Sequence, residues 1–218
     1  DLNLLAKYYV IADITKGHHG IIWHNQRFYY NPVTSQLEPI GFDGFGGGKS
    51  WVYHPFLGYS AFHPNYNGED IYRHLFTDEA FISQYIYYLH EFTQPAYLKK
   101  FFANIKTGIN DRTAFLQEEF PNYQFDKTAW IKNAKKIRNL LLPYDEMSLQ
   151  AHQQSKTEKT QLLKVRNLHI LPLKIIGFGT NKTTVSDSLQ QTIPLLNAHR
   201  AQEVPSYTNV QAPISAKY

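Results

Sequence analysis

The chain has 218 residues, of which 43% are hydrophobic and 18% are charged, with a formal net charge of +4 and a pI near 9.0. This length suffices for one well-packed core, or for one domain and part of another. The absence of cysteine excludes a disulfide framework, no apolar run is long enough to predict a membrane span, and scattered lysines do not predict a nucleic-acid partner.

The N-terminal part of the sequence predicts a helix followed by a β-hairpin. Apolar residues recur every three or four positions from Leu4 to Ala12, which indicates a helix from Asp1 to about Ile14 that Gly17 ends. The segments FYYNP and LEPIGFD flank a stretch rich in turn residues. We therefore predict that they form the two arms of a hairpin, with Asp43 at the end of the second arm.

The segment GFDGFGGGKSW resembles a phosphate-binding loop but differs from that pattern in two respects. The spacing of its glycines does not match G-x-x-x-x-G-K-[ST], and the following WVYHP favours extended chain over the helix that a P-loop requires. A P-loop is therefore not predicted, although Lys49 is a candidate phosphate contact. The aromatic residues of 52–67 are interpreted as an irregular excursion that is a candidate surface for a glycan or a peptide.

Helices are predicted to dominate the middle of the chain. One begins at the capping sequence Thr77-Asp78-Glu79, a second begins at Pro95 with a break near Gly108, and a third begins after Asp126. Beyond about residue 163 the sequence favours strands. We therefore predict an α+β protein that comprises a mainly helical part with a small hairpin over 1–155, a linker over 156–163, and the start of a β-sandwich-like domain over 164–218.

Asp13 and Asp43 are the candidate catalytic groups. Asp13 ends the first helix before the irregular segment TKGHHG, and Asp43 lies in the glycine loop. Phosphoryl transfer needs one carboxylate to deprotonate the acceptor hydroxyl and another to hold a metal ion against the phosphates. We therefore expect a solvent-exposed Asp13 whose carboxylate lies within about 10 Å of Asp43 in one cleft.

The segments ADITKGHHG, HNQRFYYNP and LEPIGFDGF together resemble the CotH family, kinase-like proteins typified by a bacterial spore coat protein. The resemblance runs from about Leu4 to Leu142 and covers the C-terminal lobe of a kinase. It implies that Asp13 is the catalytic base and that Asp43 binds the metal. It also implies ATP as cofactor, Ser or Thr hydroxyls of a protein as acceptors, and a secreted or cell-surface location.

Two positions depart from the pattern of that family. His18 stands where a metal-binding Asn is expected, and Phe45 stands where many relatives carry a further acid. Because imidazole offers nitrogen, His18 as a metal ligand favours softer metals such as Mn²⁺ or Zn²⁺ over Mg²⁺. Arg27 is a candidate partner for a phosphate or a carboxylate, because its guanidinium is planar and always charged.

We expect the N-terminal lobe of a kinase, which binds ATP, to precede Asp1 in a longer protein. The sequence leaves a competing interpretation open. In that interpretation the chain is a non-catalytic secreted or cell-surface binding protein that uses the kinase-like lobe as a scaffold.

Overall fold

The computed structural model describes residues 1–44, 56–58, 74–142, 148–178, 187–188 and 207–213. The predictions for Lys49, for Phe45 and for most of the aromatic excursion fall outside these residues. The described residues up to Leu142 form one compact unit, and those from Ser148 onward form another. Helices in the first unit and small antiparallel sheets in both units confirm the α+β class.

The first unit follows the predicted order of helix, hairpin and helices. Its described elements are α1 (Leu2–Thr15), a 3-10 helix (His18–Ile21), β1 (Arg27–Asn31), β2 (Gln36–Ile40), α2 (Glu79–Phe92), α3 (Pro95–Asn104), α4 (Lys106–Glu119) and α5 (Thr128–Leu141). Asp78 caps α2 as predicted and accepts from the backbone N–H of Phe81, and Asp1 accepts from that of Leu4 at the start of α1. The residue that precedes α5 is Lys127 rather than Asp126, although Asp126 accepts from the backbone N–H of Thr128. Pro95 begins α3, where its missing N–H carries no cost.

The core of the first unit lies between α1, α2 and α5. Tyr9 and Phe81 are both fully buried, and their rings meet edge to face with centroids 5.9 Å apart. Phe81 stacks on Tyr85 with centroids 6.1 Å apart, and Ile137 of α5 is also fully buried. These large side chains fix the C-terminal end of α1, where Asp13 lies.

The hairpin of β1 and β2 is antiparallel, with Arg27 opposite Ile40 and Asn31 opposite Gln36. Its connection contains Ser35 with a φ of 55°, in the left-handed region. Asn31 accepts from the backbone N–H of Val33 and donates to Glu38. The hairpin therefore returns the chain to its starting edge, next to the 3-10 helix.

The second unit contains a three-stranded antiparallel sheet of β3 (Leu149–Lys156), β4 (Thr160–Asn167) and β7 (Thr208–Pro213), in the order β3-β4-β7. Two shorter strands, β5 (Gly177–Phe178) and β6 (Asp187–Ser188), pair separately. Val165 and Val210 are buried at the centre of the sheet, with Leu163 and Phe178 packed against them. The all-β character of this part is confirmed for the described residues, while a β-sandwich stays a prediction.

Two predicted boundaries differ from the structure. The stretch 156–163 was predicted to be a linker, but it forms the tight turn between β3 and β4 and the first half of β4. In that turn the backbone N–H of Thr157 donates to the backbone oxygen of Thr160 at 2.8 Å. Most side chains of β3 are polar and face solvent, so its sequence lacks the apolar pattern that indicates a strand. The helix break that was predicted near Gly108 lies at Ile105, between α3 and α4, and Gly108 lies within α4.

None of the helices within the described ranges is both long and apolar enough to cross a membrane.

Candidate functional site

Asp13 lies in the last turn of α1 and is fully buried, with 0% of its surface exposed. Its Oδ1 accepts from the Nε2 of His18 at 2.7 Å and from the backbone N–H of Leu57 at 2.8 Å. Its Oδ2 accepts from the hydroxyl of Tyr85 at 2.5 Å. A buried carboxylate is tolerated only when it is paired and hydrogen-bonded in this way.

The expectation of a solvent-exposed Asp13 is therefore wrong. The segment around Phe56 and Leu57 is buried and supplies one of the donors, and α2 supplies Tyr85 from 72 residues away. Neither contact can be read from the local sequence of α1. In this arrangement the carboxylate holds four parts of the fold together and does not reach solvent.

The charge of Asp13 acts on the ionisation of its neighbours. Burial raises the pKa of Tyr85 well above its ordinary value of 10.0, and the negative charge and hydrogen bond of Asp13 raise it further. Lys16 follows α1 in the left-handed conformation, with a φ of 61°. Burial lowers the pKa of Lys16, whereas Asp13 opposes that shift. The charge of Asp13 therefore affects the pKa of both Tyr85 and Lys16 at the C-terminal end of α1.

The 3-10 helix divides two adjacent histidines between two environments. Its three residues per turn direct successive side chains about 120° apart. His18 is buried on Asp13, whereas His19 is 27% exposed and its Nδ1 lies 3.2 Å from the Oδ2 of Asp43. The same Nδ1 lies 3.1 Å from the backbone oxygen of Asp43. The Nδ1 of His19 therefore lies within hydrogen-bond distance of both the side chain and the backbone of Asp43.

Close backbone packing fixes Asp43 beside this turn. A Cβ atom on Gly20 would lie 2.7 Å from the backbone oxygen of Phe42 and 3.0 Å from the Cα of Gly44. A Cβ atom on Gly17 would lie 3.0 Å from the backbone oxygen of Gly44. The two glycines therefore allow the end of the hairpin to approach the turn, which a side chain would prevent.

Asn25 completes the cluster with Asp43. Its side-chain Nδ2 lies 3.3 Å from the Oδ2 of Asp43, 3.0 Å from the backbone oxygen of His19 and 3.1 Å from the Nδ1 of His19. Asn25 is buried, and the Asp43 side chain is 47% exposed. Asp43 has a φ of 46°, a conformation that Asp tolerates better than most residues. A carboxylate and an amide therefore lie side by side at an accessible edge.

The donor chemistry of this edge suits a hard divalent cation. Asp43 and Asn25 can both offer oxygen, which Mg²⁺ prefers, and Mg²⁺ commonly takes one or two protein ligands and keeps several waters. The Asn25 amide donates to Asp43 and to the backbone oxygen of His19, so its oxygen would face an ion only if the amide turned and both bonds were given up. The Nε2 of His18 bonds to the buried Asp13, so the imidazole beside Asp43 at the exposed edge is that of His19 rather than that of His18. Within the described residues no group of three His, Cys, Asp or Glu side chains is arranged to hold a metal ion, so Asp43 and Asn25 would share the coordination with water or other groups.

Arg27 lies at the same edge. Its guanidinium is 5.3 Å from the centroid of the Phe42 ring, one residue before Asp43. It donates to the backbone oxygens of His24 at 2.7 Å and of Gln26 at 3.1 Å, and it is exposed. Arg27 therefore has a structural contact and is placed next to Asp43, while its role as a phosphate partner stays a prediction.

Sequence reasoning missed three residues of this centre: Asn25, Tyr85 and Asn133. Asn133 of α5 donates to the backbone oxygens of Asp13 at 2.6 Å and of Ile14 at 3.1 Å, and it is buried. Of the three, only Asn25 had a readable signal, because continuing the hairpin register past Arg27 and Ile40 brings it beside Phe42. Tyr85 and Asn133 depend on helix packing that spacing does not reveal.

The chain matches no protein-family model, no curated protein and no solved structure at a significant level.

Proposed function

We propose that the chain is the helical lobe of an ATP- and divalent-metal-dependent phosphotransferase of the CotH-like kind, which acts on Ser or Thr hydroxyls of a protein. The supporting observation is the juxtaposition of Asn25 and Asp43, 3.3 Å apart at an accessible edge. In kinases, an Asn of the catalytic loop and an Asp after a short hairpin hold the metal ions that bind the nucleotide phosphates. By the same resemblance we propose a secreted or cell-surface location.

The roles of the residues follow from their environments. Asp43 and Asn25 would hold the ion, which would neutralise charge on the phosphates. In the transfer step a bond forms between the acceptor oxygen and the γ-phosphorus as the bond to the leaving ADP breaks, and a base takes the hydroxyl proton. Asn25 therefore takes the ligand role that the family pattern gave to His18, and Mg²⁺ becomes the preferred ion over Mn²⁺.

Asp13 as the catalytic base stays a prediction, because a base must contact the hydroxyl and this carboxylate is buried. Its contacts support a positioning role, in which it holds His18 and thereby the turn that carries His19. The two roles differ in measurable ways. Loss of a base lowers kcat and leaves metal affinity intact, whereas loss of a positioning residue lowers the melting temperature and the metal affinity together.

The direct test is phosphate transfer from radiolabelled ATP to a Ser- and Thr-rich acceptor protein. Because a kinase binds ATP between two lobes, the full gene product is assayed. We expect Asp43→Asn to reduce transfer by roughly 10²-fold or more, since the ion supplies several kcal/mol of transition-state stabilisation. The control is Asp111→Asn, which removes an exposed carboxylate from α4. Equal transfer by the parent and Asp43→Asn would overturn the proposal.

A non-catalytic binding protein is the second candidate, and two observations favour it. Asp13 is buried, and the hairpin region exposes Trp23, Tyr29 and Tyr30, each by more than half. Exposed aromatic rings are typical of surfaces that bind sugars or peptides. This candidate predicts no transfer by any variant, together with glycan or peptide binding that decreases when Trp23 and Tyr30 are replaced by Ser.

A further inference from the structure

A groove of about 870 Å³ lies between α3, α4 and α5, in a different set of helices from those that carry Asp13 and Asp43. Its apolar surface comes from residues of all three helices and of the loop before α5, among them Leu98, Phe102, Ile109, Phe125 and Ile131. This volume lies within the range of about 300–1,000 Å³ that is usual for ligand sites. The groove is thus large enough for a specific occupant.

The charge of the groove is strongly one-sided. None of its described lining residues is acidic. Five cationic residues line it: Lys99, Lys106, Lys127, Lys135 and Arg138. The four lysines are exposed. Arg138 donates to the backbone oxygen of Thr93 at 2.8 Å, and the Nζ of Lys127 lies 5.3 Å from the centroid of the Phe102 ring. The groove therefore matches an occupant that is both apolar and anionic.

The distribution of the cations favours an occupant with several negative charges. Lys127 and Arg138 are separated by about 16 Å along α5 at 1.5 Å per residue, and Lys99 and Lys106 come from two other helices. A single anionic headgroup would reach only part of this array. Carboxylates spaced along an amphipathic peptide helix would reach most of it, while the apolar face of that helix covers Phe102 and Ile131.

The sparse packing of α4 supports the presence of a binding partner on the groove. This 14-residue helix has no buried residue, although Ile109 faces the groove. A helix of that length is marginal in water unless packing stabilises it. A peptide in the groove would bury the Ile109 face and stabilise α4.

We propose that the groove between α3, α4 and α5 binds an acidic amphipathic helix of a partner protein. This inference is independent of phosphoryl transfer.

The test uses a fluorescein-labelled peptide of about 15 residues with Leu on one helical face and Glu on the other. Binding is measured by fluorescence anisotropy with the parent, with Lys99→Glu/Lys135→Glu, and with Lys100→Glu/Lys132→Glu. The last pair is the matched control, because it makes the same charge change on exposed residues of the same two helices outside the described groove lining. We expect the groove pair to weaken binding by about tenfold or more and the control pair to change it little. Bound peptide should also slow amide exchange in α4.

Three results would overturn the proposal. The first is absence of peptide binding to the parent, and the second is equal weakening by both pairs, which would indicate unspecific attraction between net charges. The third is binding to vesicles of phosphatidylglycerol but not to the peptide, lost in the groove pair alone, which would assign the groove to a membrane surface. Circular dichroism of both pairs establishes that each variant is folded.

Discussion

The hydroxyl of Tyr85 donates to the Oδ2 of Asp13 across 2.5 Å, and both side chains are fully buried. This bond joins α2 to the end of α1. Through this bond the Asp13 carboxylate, which lies just before a loop in the sequence, stabilises the core. Two consequences of the bond can be measured.

Asp13→Asn should destabilise the fold strongly. The carboxylate accepts from His18, Leu57 and Tyr85, whereas an amide has one oxygen and turns an N–H₂ group toward one of these donors. A buried donor left unsatisfied costs about 1–3 kcal/mol, so we expect a loss of about 3 kcal/mol in the free energy of unfolding by urea. Asp111→Asn on the exposed face of α4 is the control. Similar unfolding midpoints for the two variants would contradict the anchoring role.

Stability should fall above pH 10 because of Tyr85. The pKa of Tyr85 is about 10.0 in the unfolded chain and well above that in the folded chain, so above pH 10 the folded state binds more protons. The contribution is present in full below pH 10 and is lost at about 1.4 kcal/mol per pH unit as the pH rises toward the folded-state pKa. Tyr85→Phe should flatten the curve of unfolding free energy between pH 10 and 11. An unchanged slope would show that Tyr85 ionises equally in both states.

Asn133→Ala should destabilise the fold without a change of charge. The Asn133 amide donates to the backbone oxygens of Asp13 and Ile14, and it thereby satisfies carbonyls at the C-terminal end of α1. We expect a loss of about 1–3 kcal/mol in thermal or urea unfolding. Asn139→Ala, six residues later on the same helix and exposed, is the matched control. Equal stability of the two variants would mean that water replaces the amide without cost.

Gly20→Ala should displace Asp43. The new methyl group would lie 2.7 Å from the backbone oxygen of Phe42, and backbone atoms cannot yield as a flexible side chain does. Gly41→Ala is the matched control, because a Cβ there has no atom within 4 Å. In ¹⁵N-edited NMR spectra we expect shifts at His19, Asn25 and Asp43 for Gly20→Ala, and only local shifts for Gly41→Ala. The opposite pattern would disprove the close approach.

The sequence predicted the elements with strong local signals. Asp1, Asp78 and Pro95 mark helix starts because capping acts within one turn, and FYYNP with LEPIGFD marks the hairpin because strand pairing follows from a short turn. The burial of Asp13 was not predictable, since its donors come from residues 57 and 85. The polar β3 was not predicted because its side chains face solvent, and Asn25 can be placed beside Phe42 only by continuing the hairpin register beyond the ends of β1 and β2.

The most direct test of the central claim is Mn²⁺ binding, with Mn²⁺ as a paramagnetic substitute for Mg²⁺, followed by electron paramagnetic resonance of the free ion. If Asn25 and Asp43 together hold the ion, Asp43→Ala and Asn25→Ala should each weaken binding by about tenfold or more, and the double variant should weaken it by less than the product of the two. Asp111→Ala should bind as the parent does. Binding that is unchanged in the double variant would contradict the assignment of a metal site to this edge.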